Sequence, residues 1–387
     1  MSAELIPPNS ARAVLRAPQV PLLLAASQVG RLPVAASPIA LLLFARQHVS
    51  LGVAGLVVAF YTAGMAAGAP VLARAVNRHG QSAVLNASAL FSAVGFAVVA
   101  LGGGRLIPTL AGAAVAGLGT PPLEACLRAL WPTLVPAPSV PAAYALEIAV
   151  HELTFVVGPL VAVAVVALAG TSAALLVAAL LQLAGAAVFA ANSRVRQWRD
   201  DPAPRHWAGP LRSPRLVSLV LGVVGVGASI GVLPVVVTAY AETVGNRSLA
   251  GWLLAAQAAG GLIGGLCYTR LSPGGPARLP LVAVAFSAGL APLALAPAPP
   301  VMALLIVVAG LSLPPLLTVV FLAADRHAPA GTSVEAFAWI ITAFAVGSAA
   351  GSAAAGALAT VDLTYGFLLA PIVAAAAVLV MLPGRVS

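Results

Sequence analysis

Long apolar runs alternate with short polar breaks along the whole chain, and proline, glycine and arginine mark the breaks. A helix that crosses the ~30 Å hydrocarbon layer of a bilayer needs about 20 apolar residues, because each residue adds ~1.5 Å. Twelve runs are of about that length, so the pattern predicts twelve membrane-spanning helices. We number them as spans one to twelve, at residues 20–44, 50–72, 82–101, 106–130, 142–169, 172–191, 216–240, 249–269, 279–296, 301–324, 333–358 and 362–383.

One long polar stretch, residues 192–215, lies between the sixth and seventh spans. Its position separates six spans from six. This symmetry predicts an all-α polytopic membrane protein made of two pseudo-symmetric six-helix halves. The predicted organisation is a cytoplasmic N-terminal tail at 1–19, a first half at 20–191, a cytoplasmic central loop at 192–215 and a second half at 216–387.

Composition excludes a soluble globule and several kinds of binding site. The chain is 61% hydrophobic and 7% charged, whereas soluble domains are roughly 45–50% apolar and about 25% charged. All 19 basic residues are arginine. A phosphate-binding loop that needs lysine is therefore excluded, and we expect no nucleotide partner. The net charge of +9 is not accompanied by a basic stripe with interleaved aromatic residues, so we expect no nucleic-acid partner.

The arginines are unevenly distributed between the two sides of the predicted bundle. Fifteen lie on the side of the N-terminus and the central loop, whereas only Arg46, Arg105 and Arg247 lie on the other side. Cytoplasmic segments of membrane proteins carry the excess of positive charge. The bias therefore predicts a multi-pass protein of the cell membrane with both termini in the cytoplasm.

Pairs of glycines four residues apart recur within the spans. Small residues let helix backbones approach closely in a bilayer, where apolar side chains gain little by leaving lipid. We therefore predict close helix contacts at these pairs, which are Gly64 and Gly68, Gly260 and Gly264, Gly261 and Gly265, and Gly347 and Gly351.

The segment after the second span reads ARAVNRHGQS, from Ala73 to Ser82. It is similar to the signature G-x-x-x-D-R-x-G-R-R of the major facilitator superfamily. Arg78 and Gly80 match that signature, and Asn77 replaces its aspartate. The six-plus-six layout agrees, so the resemblance covers essentially the whole chain. It implies that Asn77, Arg78 and Gly80 form a gating loop whose charged contacts close the cytoplasmic side. Because Asn77 is neutral, these contacts should be weaker here than in the family.

Gly158 and Pro159 in the fifth span resemble the centre of the antiporter signature of that superfamily. This resemblance implies a hinge at Gly158 and Pro159, and it favours efflux over import. Three further segments, 28–33, 121–132 and 335–339, resemble an actinobacterial branch of permeases that is similar to drug and sugar exporters.

Ionisable side chains inside a bilayer cost ~2.5–3.5 kcal/mol on insertion scales, so each is a candidate functional group. Glu124 and Arg128 lie four residues apart in the fourth span. We interpret them as a structural pair near the membrane interface, with a gating role as the alternative. Glu147 and His151 have the same spacing in the fifth span. They form either a proton-coupling site or a hydrogen bond that only satisfies two buried groups.

Arg31 and Glu152 lie at nearly the same predicted depth, in the first and fifth spans. In the superfamily that the chain resembles, these two helices border the central cavity. We predict that Arg31 and Glu152 form the charged centre of the solute pathway, with a permanent salt bridge as the alternative. Glu335 lies one turn before Trp339 in the eleventh span, and it either stabilises the helix N-terminus or faces the same cavity together with Trp339.

A metal site is not expected, because the H-E-x-x-H pattern begun by His151 and Glu152 has Phe155 in place of its second histidine. We also expect no cofactor and no enzymatic activity. The sequence indicates a secondary active transporter that moves a small organic solute by alternating access and proton-coupled efflux. The alternatives are a non-transporting membrane receptor or scaffold and, less favoured, an intramembrane enzyme. The expected partners are the solute, protons and the lipid bilayer, and we expect a monomer.

Overall fold

The structure is a computed structural model that describes residues 11–199, 208–246, 248–270, 276–359 and 363–381. Within these ranges the chain is helical apart from short connections, and they contain no β-strand. An apolar chain in lipid favours helices, because a helix satisfies its own backbone hydrogen bonds without water. The predicted all-helical polytopic fold is confirmed. Parts of the predicted tail, central loop and C-terminal end lie outside the described residues, namely 1–10, 200–207 and 382–387.

Within the described residues, eleven helices are long and apolar enough to cross a bilayer, and a shorter apolar one lies at the position of the ninth span. The spans of the first half are Val20–Arg46, Leu51–His79, Gln81–Leu101, Leu106–Leu118 with Leu123–Leu134, Val140–Ala169 and Thr171–Ala191. Those of the second half are Pro214–Thr243, Ser248–Arg270, Leu279–Leu290, Pro299–His327, Ser333–Ala359 and Leu363–Met381. Short helices at Ala11–Arg16 and Ser193–Gln197 lie in the predicted tail and central loop.

The fourth span, predicted at 106–130, consists of two helices separated by a short break. The first helix ends at Leu118 and the second begins at Leu123. Pro121 and Pro122 lie in the break. Proline has no backbone N–H and its ring clashes with the preceding turn, so two successive prolines end the first helix. The second helix therefore starts in the middle of the span, with Glu124 in its first turn.

The ninth span is also shorter than its apolar run predicts. Its α-helix ends at Leu290, and a 3₁₀ turn follows from Ala291 to Leu295. Pro292 lies at the start of this turn, and its missing N–H prevents a regular continuation of the α-helix.

The predicted gating loop is almost entirely helical. The second span continues to His79 and the third begins at Gln81, so Gly80 alone connects them. Gly80 has a φ of +83°, a conformation that glycine adopts without strain. A Cβ atom on Gly80 would lie 3.0 Å from Nη1 of Arg199, so the central loop packs against this turn.

Glycines bring equivalent pairs of spans together in the two halves, as predicted. A Cβ on Gly64 would lie 2.5 Å from the carbonyl oxygen of Ala114, where the second span contacts the fourth. A Cβ on Gly260 would lie 2.2 Å from the carbonyl oxygen of Val307, where the eighth span contacts the tenth. Neither position has room for a larger residue. The same type of contact therefore joins corresponding spans, as the predicted pseudo-symmetry requires.

We call the side on which the sixth span ends and the seventh begins the linker side. On this side the two halves contact each other: the second span packs against the eleventh, and the fifth packs against the eighth and tenth. One apolar core extends through both halves here and includes Trp131, Tyr144, Phe321 and Phe337. The linker side is therefore closed in this structure.

Candidate functional site

Four charged side chains of the first half form a closed cluster, which we call the charge cluster. Arg31 lies 2.7 Å from Glu124 and 3.3 Å from Glu147, measured between guanidinium nitrogens and carboxylate oxygens. Arg128 lies 2.6 Å from Glu124 and 3.3 Å from Glu147. Each arginine thus contacts both carboxylates, and the four formal charges cancel. This balance lets spans one, four and five carry ionised groups into the apolar core.

The break in the fourth span helps to position this cluster. Glu124 lies in the first turn of the second helix, where the partial positive charge of the helix N-terminus favours a carboxylate. Arg128 and Trp131 follow on the same helical face. The indole nitrogen of Trp131 donates a hydrogen bond of 3.2 Å to Glu147. Arg128, Trp131 and Glu147 are almost completely buried, so these contacts are shielded from water.

Aromatic rings connect the charge cluster to the second half. The guanidinium carbon of Arg128 lies 3.5 Å from the ring centre of Phe321 in the tenth span. Tyr144 stacks on Phe321 with ring centres 6.4 Å apart, and it contacts Phe337 of the eleventh span edge-on. A cation held over an aromatic face is attracted to it, most strongly where water is excluded. The linker-side contact between the halves therefore includes a charged residue of the cluster.

The predicted pair of Arg31 and Glu152 is not formed. Arg31 contacts Glu124 and Glu147, and Glu152 has no ion pair among the described residues. Equal depth does not bring Arg31 and Glu152 together, because Glu152 lies five residues after Glu147 and points about 140° away from it around the helix axis. Glu147 therefore faces the first span while Glu152 faces another neighbour. The carboxyl group of Glu152 lies against the eighth span, where a Cβ on Gly261 would be 3.2 Å from its Cδ atom.

The predicted pair of Glu147 and His151 is not formed either. Both oxygens of Glu147 contact arginines, and one also accepts the indole hydrogen bond. Nδ1 of His151 is buried and has no hydrogen-bond partner among the described residues. Its ring packs edge-on against Phe155, with ring centres 5.0 Å apart. Two arginines compete better for a buried carboxylate than a neutral imidazole, which explains the difference. By contrast, the predicted ion pair of Glu124 and Arg128 is confirmed.

An ion pair also joins the halves, at the linker-side end of the molecule. Arg74 of the second span contacts Glu335, in the first turn of the eleventh, at 2.5 Å. Nearby, the side-chain amide of Asn77 donates a hydrogen bond of 3.3 Å to the carbonyl of Gly331. Gly209 of the central loop also adjoins Glu335, since a Cβ there would lie 2.7 Å from its Oε1. We call the Arg74–Glu335 and Asn77–Gly331 contacts the linker-side latch.

The latch differs from what the sequence pattern predicts. Of the two alternatives for Glu335, its place in the first turn of the eleventh span agrees with stabilisation of the helix N-terminus, and its carboxylate pairs with Arg74. Its cavity-facing role remains a prediction. Arg78, which matches the superfamily signature, is exposed and has no ion pair among the described residues. Asn77 contributes a neutral hydrogen bond, and the charged contact comes from Arg74 three residues earlier. The charged contact at this end is therefore made by Arg74, and the gating role of Asn77, Arg78 and Gly80 remains a prediction.

Two other predicted site positions have a clear local setting. Nε1 of Trp339 is buried and has no hydrogen-bond partner among the described residues. Gly158 lies against the first span, where its Cβ would be 2.9 Å from that of Ala35. The fifth span is one helix through Pro159. The roles of Trp339 in solute binding and of Gly158 and Pro159 as a hinge remain predictions.

The sequence contained partial signals for the residues that were missed. Trp131 shares a helical face with Glu124 and Arg128, a spacing that indicates a common environment. Arg74 and Glu335 have opposite charges at span ends on the same predicted side. Phe321 had no such signal, because its contact with Arg128 depends on how the two halves pack.

Comparison with known proteins agrees with this architecture. The family model of the Major Facilitator Superfamily matches residues 32–352, which is most of the chain. The chain belongs to the Major Facilitator Superfamily. Membership in this superfamily makes it a secondary transporter rather than an enzyme. No curated protein matches the chain significantly.

Solved structures of the superfamily are similar to the whole chain. A bacterial homologue of the iron transporter ferroportin, in an outward-facing state, has a TM-score of 0.72 at 18% identity and covers 93% of this chain and 98% of its own. The E. coli fucose:proton symporter FucP has a TM-score of 0.70 at 15% identity, and the match covers 94% of this chain and 98% of FucP. The human organic anion transporter MFSD10 has a TM-score of 0.68 at 14% identity, and the match covers 97% of this chain and 100% of MFSD10. At these identities the likeness shows the fold alone.

Proposed function

We propose that this protein is a proton-coupled exporter of a small organic solute, that it works by alternating access in the cell membrane, and that its linker side faces the cytoplasm. Membership in the superfamily supports solute transport. The excess of arginine on the linker side supports the orientation. The resemblance of Gly158 and Pro159 to an antiporter signature supports export.

The observation that carries the proposal of proton coupling is the set of carboxylates within the fourth and fifth spans. Glu147 is buried between two arginines, whereas Glu152 is partly buried and has no ion pair among the described residues. A carboxyl group within a span loses its charge when it takes up a proton, and a charge is costly in that environment. Protonation can therefore favour one conformation over another.

Alternating access requires that contacts between the halves form and break. The linker-side latch and the contact of Arg128 with Phe321 join the halves in this structure. In our proposal the solute enters from the cytoplasm when these contacts are broken. It leaves toward the opposite side when they form again.

Transport by purified protein in proteoliposomes tests this proposal. An exporter that exchanges solute for protons accumulates its solute on the acidic side, because protons move down their gradient in the opposite direction. We therefore expect a panel of small organic solutes to contain members that accumulate inside acid-loaded vesicles. Reversing the pH gradient should reverse the movement, and a protonophore should abolish it. Vesicles without protein are the control.

Variants identify the carboxylate that carries the proton. Glu147→Gln and Glu152→Gln each remove one titratable group with little change in shape. Loss of that group should abolish accumulation while solute–solute exchange persists, since exchange needs no deprotonation. Equilibration of every solute to equal concentrations under both gradients, despite saturable exchange, would contradict proton coupling and leave a facilitator.

A further inference from the structure

The eighth span has two glycine faces that contact different neighbours. Gly260 and Gly264 face the tenth span in the same half. Their Cβ atoms would lie 2.2 Å and 2.1 Å from the carbonyl oxygens of Val307 and Leu311. This contact lies within one half, so it is kept when the halves move as bodies.

The other face of the eighth span contacts the fifth span of the first half. A Cβ on Gly265 would lie 2.6 Å from the Cβ of Ala149. One turn away, a Cβ on Gly261 would lie 3.2 Å from Cδ and 3.5 Å from Oε1 of Glu152. We call this contact of spans five and eight the inter-half seam. The seam must separate when the linker side opens, and Glu152 is the ionisable side chain that the described contacts place on it.

The charged and titratable groups on the elements around Glu152 do not neutralise it. In the first and fourth spans, Arg31 and Arg128 each contact both Glu124 and Glu147. Cys126 is buried in the fourth span, Arg46 is the last residue of the first-span helix, and Tyr144 of the fifth span donates a hydrogen bond to the carbonyl of Arg128. On its own helix, the neighbouring groups are Glu147, which contacts both arginines, and His151, whose Nδ1 has no partner among the described residues. The titratable or charged residues of the other packed elements are Cys267 and Tyr268 in the eighth span, Asp325, Arg326 and His327 at the end of the tenth, and Arg12 and Arg16 in the short N-terminal helix.

We infer that Glu152 is a proton-binding site whose protonation stabilises the closed inter-half seam and hence the closed linker side. The inference rests on the proton coupling proposed above and supplies its structural link. In the closed seam the carboxyl group lies against the helix backbone of span eight without a cation. An ionised carboxylate there loses hydration and gains no compensating charge. The neutral acid has a much smaller desolvation free energy. Deprotonation therefore favours separation of spans five and eight, which restores water to the carboxylate.

Pulsed electron paramagnetic resonance on the full chain tests this inference. Nitroxide labels at His79→Cys and Ala330→Cys, two exposed linker-side positions in opposite halves, report opening of that side. The two native cysteines are replaced first by Cys126→Ala and Cys267→Ala. The protein is studied without solute in nanodiscs, so transport is not required. We expect the short-distance population to decrease as the pH rises, and to recover on acidification.

Neutral variants decide whether Glu152 is responsible. Glu152→Gln should remove the pH dependence and keep the short-distance population high at every pH. Glu152→Ala should remove the pH dependence as well. This second variant keeps the test decisive if the first one folds poorly. Glu242→Gln, at an exposed carboxylate near the opposite end of the seventh span, should behave like the parent. A pH dependence that persists in both Glu152 variants, or its absence in the parent, would overturn the inference.

The distance measurement and the transport assay test different claims, so failure of one can be told apart from failure of the other. If solutes accumulate under a pH gradient but the distances do not respond to pH through Glu152, the proposed function stands and this inference is wrong. If the distances respond through Glu152 but no gradient drives transport, proton coupling of transport is wrong and the conformational site remains.

Discussion

At the scale of single residues, the four charges of the cluster in the first half are arranged so that each one contacts an opposite charge. Arg31 and Arg128 share Glu124 and Glu147, and all four lie within an otherwise apolar environment. Removing one member of such a set leaves an uncompensated charge, which destabilises more strongly than removing a balanced pair. The charge cluster therefore stabilises the packing of spans one, four and five. Both arginines are engaged, so the cluster does not present a free cation to a solute anion.

Two double variants distinguish the observed partner of Arg31 from the one that depth alone suggests. We expect Arg31→Ala to cost about 3–5 kcal/mol in stability, because two carboxylates then share one arginine. Adding Glu147→Gln restores the charge balance and should recover most of the melting temperature and expression. Adding Glu152→Gln should recover neither, because Glu152 does not contact Arg31. Equal recovery in both double variants, measured by thermal unfolding in detergent, would contradict the observed pairing.

At the scale of elements, sequence patterns predicted most helices but missed features that depend on three-dimensional packing. Apolar run length identified the spans because a helix is the only open-chain structure that satisfies its backbone in lipid. The break at Pro121 and Pro122 could have been predicted from the two prolines. The partner of Arg31 could not, because run length gives the depth of a residue and not the direction in which it points. The same limit applies to Arg74 and Glu335, whose contact requires the packing of one half on the other.

The glycine faces of the eighth span give a prediction at the same scale. Gly264→Val introduces a side chain against the carbonyl of Leu311 within one half, where a Cβ would lie 2.1 Å away. We expect it to reduce expression and melting temperature. Gly265→Val introduces the same bulk against Ala149 across the seam. We expect this variant to fold, because the halves can separate slightly, and to shift the labelled linker-side distance toward the open population. Similar loss of stability in both variants would contradict the distinction between the two faces.

At the scale of the whole molecule, closure of the linker side is distributed over several contacts of different chemistry. The latch contributes an ion pair between Arg74 and Glu335, the seam contributes small-residue packing, and the aromatic contact adds the attraction between Arg128 and Phe321. A transporter that alternates between two states needs a small free-energy difference between them, so that one proton or one solute can reverse the preference. Several modest contacts that break together meet this requirement better than one strong contact.

A double-mutant cycle on the latch measures its share of that difference. Arg74→Gln and Glu335→Gln should each increase the open population, by an amount that corresponds to about 1–3 kcal/mol for a charged hydrogen bond with one buried partner. The double variant should open no further than the more severe single variant, because both changes remove the same contact. Arg78→Gln, at an exposed arginine without an ion pair among the described residues, is the matched control and should not change the population. Additive effects of the two latch variants on the same label distances would mean that Arg74 and Glu335 contribute to closure through different partners, and would contradict the role of their ion pair.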